Sequence, residues 1–172
     1  MGRAKRIEEP ATQHVYCRGN RGEKVFEDDG DYALFVDKLF QLAKKCGVLI
    51  IAYCLMPNHF HLCLQTLEDG MKLSKFMQKL NLWHARQYNR KHHVRGRLNE
   101  SRYRAKVVDT SRYLWNLVRY LHLNPVRAGL CTSPDGWAWS SHRTYCGGDN
   151  RGIMTEDVLA LVGGTAGYSA LM

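Results

Sequence analysis

Residues 12–18 (TQHVYCR) alternate between polar and apolar positions and predict a short strand, closed by the turn residues Gly19, Asn20 and Gly22. From Asp31 to Cys46 the apolar residues Leu34, Phe35, Leu39, Leu42 and Ala43 recur at helical spacing, and Gly47 ends the run. Val48 to Met56 is an almost unbroken apolar stretch rich in β-branched residues, which predicts a well-buried strand. Pro57 and Asn58 turn the chain, and His59 to Thr66 alternates as a second strand pairing back onto the first. A second helix is expected from about Leu73 to Lys91. An irregular arginine-rich connection opens at Gly96, and Tyr103 to Val108 has the pattern of another strand. Asp109, Thr110 and Ser111 form an N-cap cluster for a helix reaching about Leu123, where Pro125 should interrupt it. The order β-α-β-β-α-β-α predicts an α+β fold, a ferredoxin-like antiparallel sheet with helices packed on one face. Residues 1–146 would form that domain, and residues 147–172 a small appendix with one helix, Thr155–Val162.

A chain of 172 residues with 45% hydrophobic content can bury one sizeable core. Its formal charge of +9 favours anionic partners, nucleic acid first; charge alone leaves ribosomal and anionic-membrane roles open. The opening Met1–Arg6 has no apolar run behind it, and no stretch approaches a membrane span, so a soluble, cytoplasmic protein is expected. The six cysteines form no CxxC pair and are expected to be reduced core residues.

The charge is concentrated. Residues 72–106 hold eleven Lys and Arg against one acid, Glu100, so that segment carries +10 and the rest of the chain is close to neutral. At about 100° per residue, Lys72, Lys75, Lys79, Arg86 and Arg90 fall in one stripe of the predicted helix, with Leu73, Phe76, Met77, Leu80 and Trp83 on an adjoining face. A helix anchored by one face with cations on its shoulder suits a phosphate backbone; a solvated face is the plainer reading, although such faces usually mix signs. Arg102 and Arg104 extend the basic run.

Two further features can carry chemistry. His59 and His61 flank Phe60 on a strand, where alternate side chains share a face, so the two imidazoles lie about 6–7 Å apart and can reach one divalent ion. Two neutral nitrogens leave such a site incomplete, and a third ligand must come from elsewhere. On a wheel for residues 113–129, Tyr120 and Asn124 fall about 40° apart on a polar strip flanking the apolar side made by Leu114, Leu117, Val118 and Leu121. An arbitrary tyrosine there would pack at the core margin, and Asn124 could simply cap a turn before Pro125.

The segments LMPNHFHLCLQ (55–65) and RYLHLNPVRAGL (119–130) together resemble the single-tyrosine HUH transposases, in particular the REP-associated tyrosine transposases. HVYCRGN (14–20), FMQKLNLWHARQYNR (76–90) and WSSHRTYCG (139–147) extend the likeness over most of residues 12–146. The resemblance implies the HUH endonuclease version of the ferredoxin-like fold, a nucleophilic tyrosine at Tyr120, and a divalent metal, Mg²⁺ or Mn²⁺, on His59, His61 and Asn124. It further implies single-stranded or hairpin DNA as partner, cut through a 5′-phosphotyrosine; the charge pattern itself makes Lys72, Lys75, Lys79, Arg86, Arg90, Arg102 and Arg104 the expected DNA contacts. Monomer and dimer both stay open. Two rival classes share these residues: a DNA-binding protein of the same fold without catalysis, and a hydrolase acting through metal-bound water.

Overall fold

The computed structural model describes residues 10–172; the basic opening Met1–Arg6 lies outside the described residues. Four strands, β1 (Thr12–Arg18), β2 (Val48–Met56), β3 (His59–Thr66) and β4 (Arg104–Val107), form one sheet in the order β2-β3-β1-β4, every pair antiparallel. With α1 (Asp29–Cys46) between β1 and β2, and α2 (Leu73–Lys91) between β3 and β4, this is the expected ferredoxin-like arrangement.

Local chemistry sets the element ends. The Asp28 carboxylate accepts from the Asp31 N–H at 3.1 Å and starts α1; Gly47 ends it at φ 62°, a left-handed cap that costs glycine nothing. Pro57 and Asn58 form a two-residue turn that pairs Met56 with His59. The tip is clamped from outside: the Gly19 N–H donates to the Asn58 carbonyl at 2.8 Å, and the Val25 N–H to that of Pro57 at 2.8 Å. A side chain at position 19 would put Cβ 2.0 Å from the Glu23 carbonyl oxygen, so only glycine lets this loop close. The strand β2 bulges between Ile50 and Ala52, and the buried Tyr145 hydroxyl donates to the freed Ile51 carbonyl at 2.9 Å.

The expectation of helices on one face holds for α1 and α2 only. Phe60 on β3 meets Phe35 of α1 at 4.9 Å between ring centroids, and His84 of α2 meets Phe35 at 4.8 Å, so both helices lie on that side. His61, one residue on, points the opposite way and meets Tyr120 of α3 (Ser111–Arg127) at 5.6 Å. The sheet is therefore sandwiched, and residues of both its faces are buried.

Helix α3 departs from its expected length. Thr110 caps it, accepting from the Tyr113 N–H at 3.1 Å, but Pro125 lies inside it rather than beyond its end. Proline removes one N–H close to the terminus, and the Ala128 N–H closes the last turn on the Asn124 carbonyl at 3.0 Å, so little is lost. Asn124 thus stays one helical turn beyond Tyr120 instead of capping a new turn.

Residues 147–172 pack into the same core. The Met154 N–H donates to the Ile50 carbonyl at 2.9 Å, and Val158 of α5 (Glu156–Val162) is fully buried. A short α4 (His142–Tyr145) precedes α5, and α6 (Gly164–Leu171) follows it and buries Tyr168. Among the described residues no helix is long and apolar enough to cross a membrane. Cys17, Cys46, Cys54 and Cys63 are buried free thiols, as expected; Cys131 is half-buried and Cys146 exposed.

Candidate active site

The face of the sheet under α3 is built by register. Antiparallel pairing sets Tyr16 opposite His61, Arg18 opposite His59, Arg104 opposite Tyr16 and Lys106 opposite His14, and directly opposed side chains share a face. His14, Tyr16, His59, His61, Arg18, Arg104 and Lys106 therefore project together toward the layer that carries Tyr120.

The two histidines of β3 stand 5.0 Å apart between ring centroids. The Asn58 side-chain oxygen accepts from His59 Nδ1–H at 2.7 Å, which leaves Nε2 with its lone pair. His61 is only 7% exposed, and its Nδ1 shares a 3.0 Å hydrogen bond with Nε2 of His14; with the proton on Nδ1, its Nε2 is also left open. Burial is the largest cause of a His61 pKa lowered to about 3, with His59 and His14 adding to it; burial and the Lys106 charge lower His14 to about 4. Burial, then Arg18, lowers His59 too. All three rings are neutral near pH 7, the state a metal ligand requires.

Tyr120 is 38% exposed, with its ring 5.6 Å from His61 and 6.5 Å from His14. The Arg127 guanidinium sits 5.6 Å over that ring. Tyr113, two turns earlier, instead packs beneath the Lys106 ammonium at 4.8 Å. The buried amide nitrogen of Asn124 has no hydrogen-bond partner, and rotating the amide would put its oxygen in the same place. Two neutral imidazoles with open Nε2 atoms and an amide lacking a partner fit a loosely held divalent cation.

The structure thus brings Tyr120 together with His59 and His61, and sets Asn124 on the same helix face. The stripe of α2 is placed elsewhere. Lys72, Lys75, Lys79, Arg86 and Arg90 are exposed as expected, but α2 lies on the far side of the sheet from Tyr120. Trp83 is only half-buried, under the Lys38 ammonium, and His84 takes the core position. Arg102 is exposed before β4, and Arg104 alone of the expected DNA contacts faces the histidines through its register with Tyr16. His14 escaped the sequence reading, as did the site-facing cations Arg18, Lys106 and Arg127. For His14, Arg18 and Lys106 the signal was the alternation of β1 and β4, readable only once the pairing partner is known; Arg127 lies on α3, two turns beyond Tyr120.

Residues 10–124 match the family model described as "Transposase IS200 like". The chain belongs to this family. No curated protein matches it. Among solved structures, the IS200-like chain is similar to a REP-associated tyrosine transposase bound to a REP hairpin, with a TM-score of 0.72 and 16% identity over 91% of this chain and 90% of that one. At that identity the likeness establishes the shared fold. A protein of Deinococcus radiodurans R1, provisionally described as a transposase, aligns with a TM-score of 0.49 and 19% identity, over 70% of this chain and 95% of that one.

Two other groups of three potential metal ligands occur among the described residues. In the group Asp28, Asp31 and His92 the Lys91 ammonium already sits between the two carboxylates, at 2.5 and 2.8 Å. His92 is held by Asp31 at 2.9 Å. The other group, Asp135, His142 and Cys146, has no such counter-ion in its midst.

Proposed function

We propose that this IS200-like transposase cuts and rejoins single-stranded DNA at hairpin-bearing repeat ends, with Tyr120 as the nucleophile and a 5′-phosphotyrosine as the intermediate. The observation that carries this reading is the approach of Tyr120, from a helix, to the paired histidines of a strand on the opposing layer, ring to ring at 5.6 Å. A phenol with pKa near 10 is a weak nucleophile, so its surroundings must help the oxygen attack. The Arg127 guanidinium over the Tyr120 ring can meet the charge that develops on the phosphate. The hydroxyl proton leaves to solvent, to which Tyr120 is open.

His59, His61 and Asn124 are the residues that would hold a divalent ion, Mg²⁺ or Mn²⁺. Such an ion supplies Lewis-acid polarisation of the scissile phosphate. Asn58 and His14 fix the two imidazoles so that their Nε2 atoms stay available. As the Tyr120 oxygen bonds to phosphorus, the bond to the 3′ oxygen breaks and that oxygen leaves as a 3′-OH. The phosphotyrosine ester conserves the bond energy, so a second 3′-OH can reverse the step and join strands without ATP. Arg18, Arg104 and Lys106, on the same face, would hold the strand by its phosphates. A cytoplasmic, DNA-bound role follows from this reading.

The test is incubation of the full chain with end-labelled hairpin DNA and Mn²⁺, followed by a denaturing gel. Wild type and Tyr113→Phe should carry the label covalently, and Tyr120→Phe should not while still binding the hairpin. The Tyr120 hydroxyl makes no hydrogen bond among the described residues, so its loss should move stability by no more than about 0.5 kcal/mol. Covalent labelling of Tyr120→Phe would sink the proposal. Cleavage by that variant without an adduct would favour attack by metal-bound water.

A further inference from the structure

Away from the histidine–tyrosine face, a chain of polar groups runs through the core between α3, α4 and α6. The Ser141 hydroxyl contacts His122 Nε2 at 2.7 Å, His122 Nδ1 contacts the Tyr168 hydroxyl at 2.7 Å, and that hydroxyl contacts His142 Nδ1 at 2.7 Å. At the outer end, His142 Nε2 lies 3.3 Å from an Asp135 carboxylate oxygen and 3.5 Å from the Cys146 sulfur. His142 is 2% exposed, whereas the Asp135 side chain is largely open to solvent.

We propose that Asp135, His142 and Cys146 form a zinc site that pins the Pro134–Gly136 turn to α4. A tetrahedral zinc with bonds near 2.0–2.1 Å to nitrogen and oxygen and 2.3 Å to sulfur sets its ligands roughly 3.4 Å (N to O) and 3.5 Å (N to S) apart. The observed separations from His142 Nε2 match both edges. Ordinary hydrogen bonding explains them less well. A separation of 3.3 Å is long for a charge-assisted N–H to carboxylate bond. All three ligand atoms lie within 4.8 Å of one another, and rotation of the open Asp135 side chain can complete the third edge.

The buried chain can adopt the matching proton arrangement. Ser141 O–H donates to the Tyr53 carbonyl at 3.3 Å and accepts from the Tyr53 N–H at 2.9 Å. In the tautomer that continues this direction, His122 Nε2–H donates to Ser141, Tyr168 O–H donates to His122 Nδ1, and His142 Nδ1–H donates to the Tyr168 oxygen. Every group is satisfied, and His142 Nε2 is left with a lone pair facing a carboxylate and a thiol. A divalent cation between them would take all three lone pairs once the thiol proton leaves. The second nitrogen of a zinc-bound histidine is ordinarily fixed in this way. On binding, Cys146 releases its thiol proton, and water takes the fourth position. The inference does not depend on the role of Tyr120, because no ligand belongs to that face.

Cobalt(II) titration of the full chain tests it, because cobalt bound to a thiolate shows a sulfur-to-metal charge-transfer band that ligation by histidine and asparagine cannot give. We expect that band to saturate at one equivalent and to be displaced by Zn²⁺. It should vanish in Cys146→Ser, require at least about tenfold more cobalt in Asp135→Asn, and persist in His59→Ala. Zn²⁺ should raise the melting temperature of the His59→Ala protein and leave that of a His59→Ala/Cys146→Ser protein unmoved. Absence of the band from folded wild type, or its survival in Cys146→Ser, would overturn the site.

Discussion

Replacing His14 with alanine would leave Nδ1 of a nearly buried His61 without its 3.0 Å partner. An unsatisfied buried nitrogen costs about 1–3 kcal/mol, and because His14 is itself half-buried, water can enter and keep the cost near the lower end. The functional consequence should be larger than the structural one. His14 holds the His61 ring in the orientation and tautomer that leaves Nε2 open, and losing such a partner typically weakens metal binding about 10–100-fold. That is roughly 1.4–2.7 kcal/mol. The assay is single-turnover cleavage of hairpin DNA across a Mn²⁺ titration. For His14→Ala the half-activating Mn²⁺ concentration should rise by that factor, while the rate at saturation stays within a few-fold of wild type. Glutamine, which can offer an amide hydrogen bond at a similar position, should recover part of the shift. An unchanged midpoint would show that His14 does not position His61. A lost plateau at an unchanged midpoint would mean that His14 acts on the reaction itself, and either result refutes the argument.

Three further outcomes are expected. Changing His59 or His61 to alanine should abolish Mn²⁺-dependent cleavage and leave hairpin affinity within a few-fold, measured by gel shift, since phosphate contacts supply that affinity. Neutralising Arg104 or Lys106, one at a time, should flatten the slope of log affinity against log salt by somewhat under one unit each; unchanged slopes would move the strand off this face. His84 is buried with its Nε2–H on the Val25 carbonyl at 3.0 Å, and burial lowers its pKa to about 4. The unfolded chain takes up this proton below about pH 6.5 and the folded chain only below about pH 4. Stability should therefore be unaffected above pH 6.5 and fall as pH drops through that window, by about 3 kcal/mol in all. Urea unfolding at pH 7.5 and 5 should show a shallower pH dependence for His84→Gln than for wild type, the other buried histidines contributing equally to both.

The sequence made the strands and long helices legible because their burial is periodic: Val15 and Cys17 alternate with His14 and Tyr16 on β1, and Leu39, Leu42 and Ala43 repeat along α1. What periodicity cannot supply is which elements meet. His14 looks like any polar residue on a half-buried strand until the β1–β3 register sets it beside His61. Helix α6 was missed because Gly164 and Gly167 weaken local helix preference, while the burial of Tyr168 against His122 and His142 is a long-range gain. The same limit bears on how nucleic acid would approach. The stripe from Lys72 to Arg90 was legible as exposed and cationic, yet α2 lies across the sheet from Tyr120, so a strand whose phosphate reaches Tyr120 cannot also lie flat along that stripe. The cations beside Tyr120 are Arg18, Arg104, Lys106 and Arg127, from three different elements. If both sets touch DNA, they must touch different parts of it. Loss of Lys75 or Lys79 should then weaken binding uniformly without altering the rate of the bound complex, whereas loss of Arg127, the cation over the Tyr120 ring, should slow cleavage even when DNA is saturating. A common kinetic signature for both sets would mean that the strand wraps the edge of the sheet, and that the two cationic faces act as one surface.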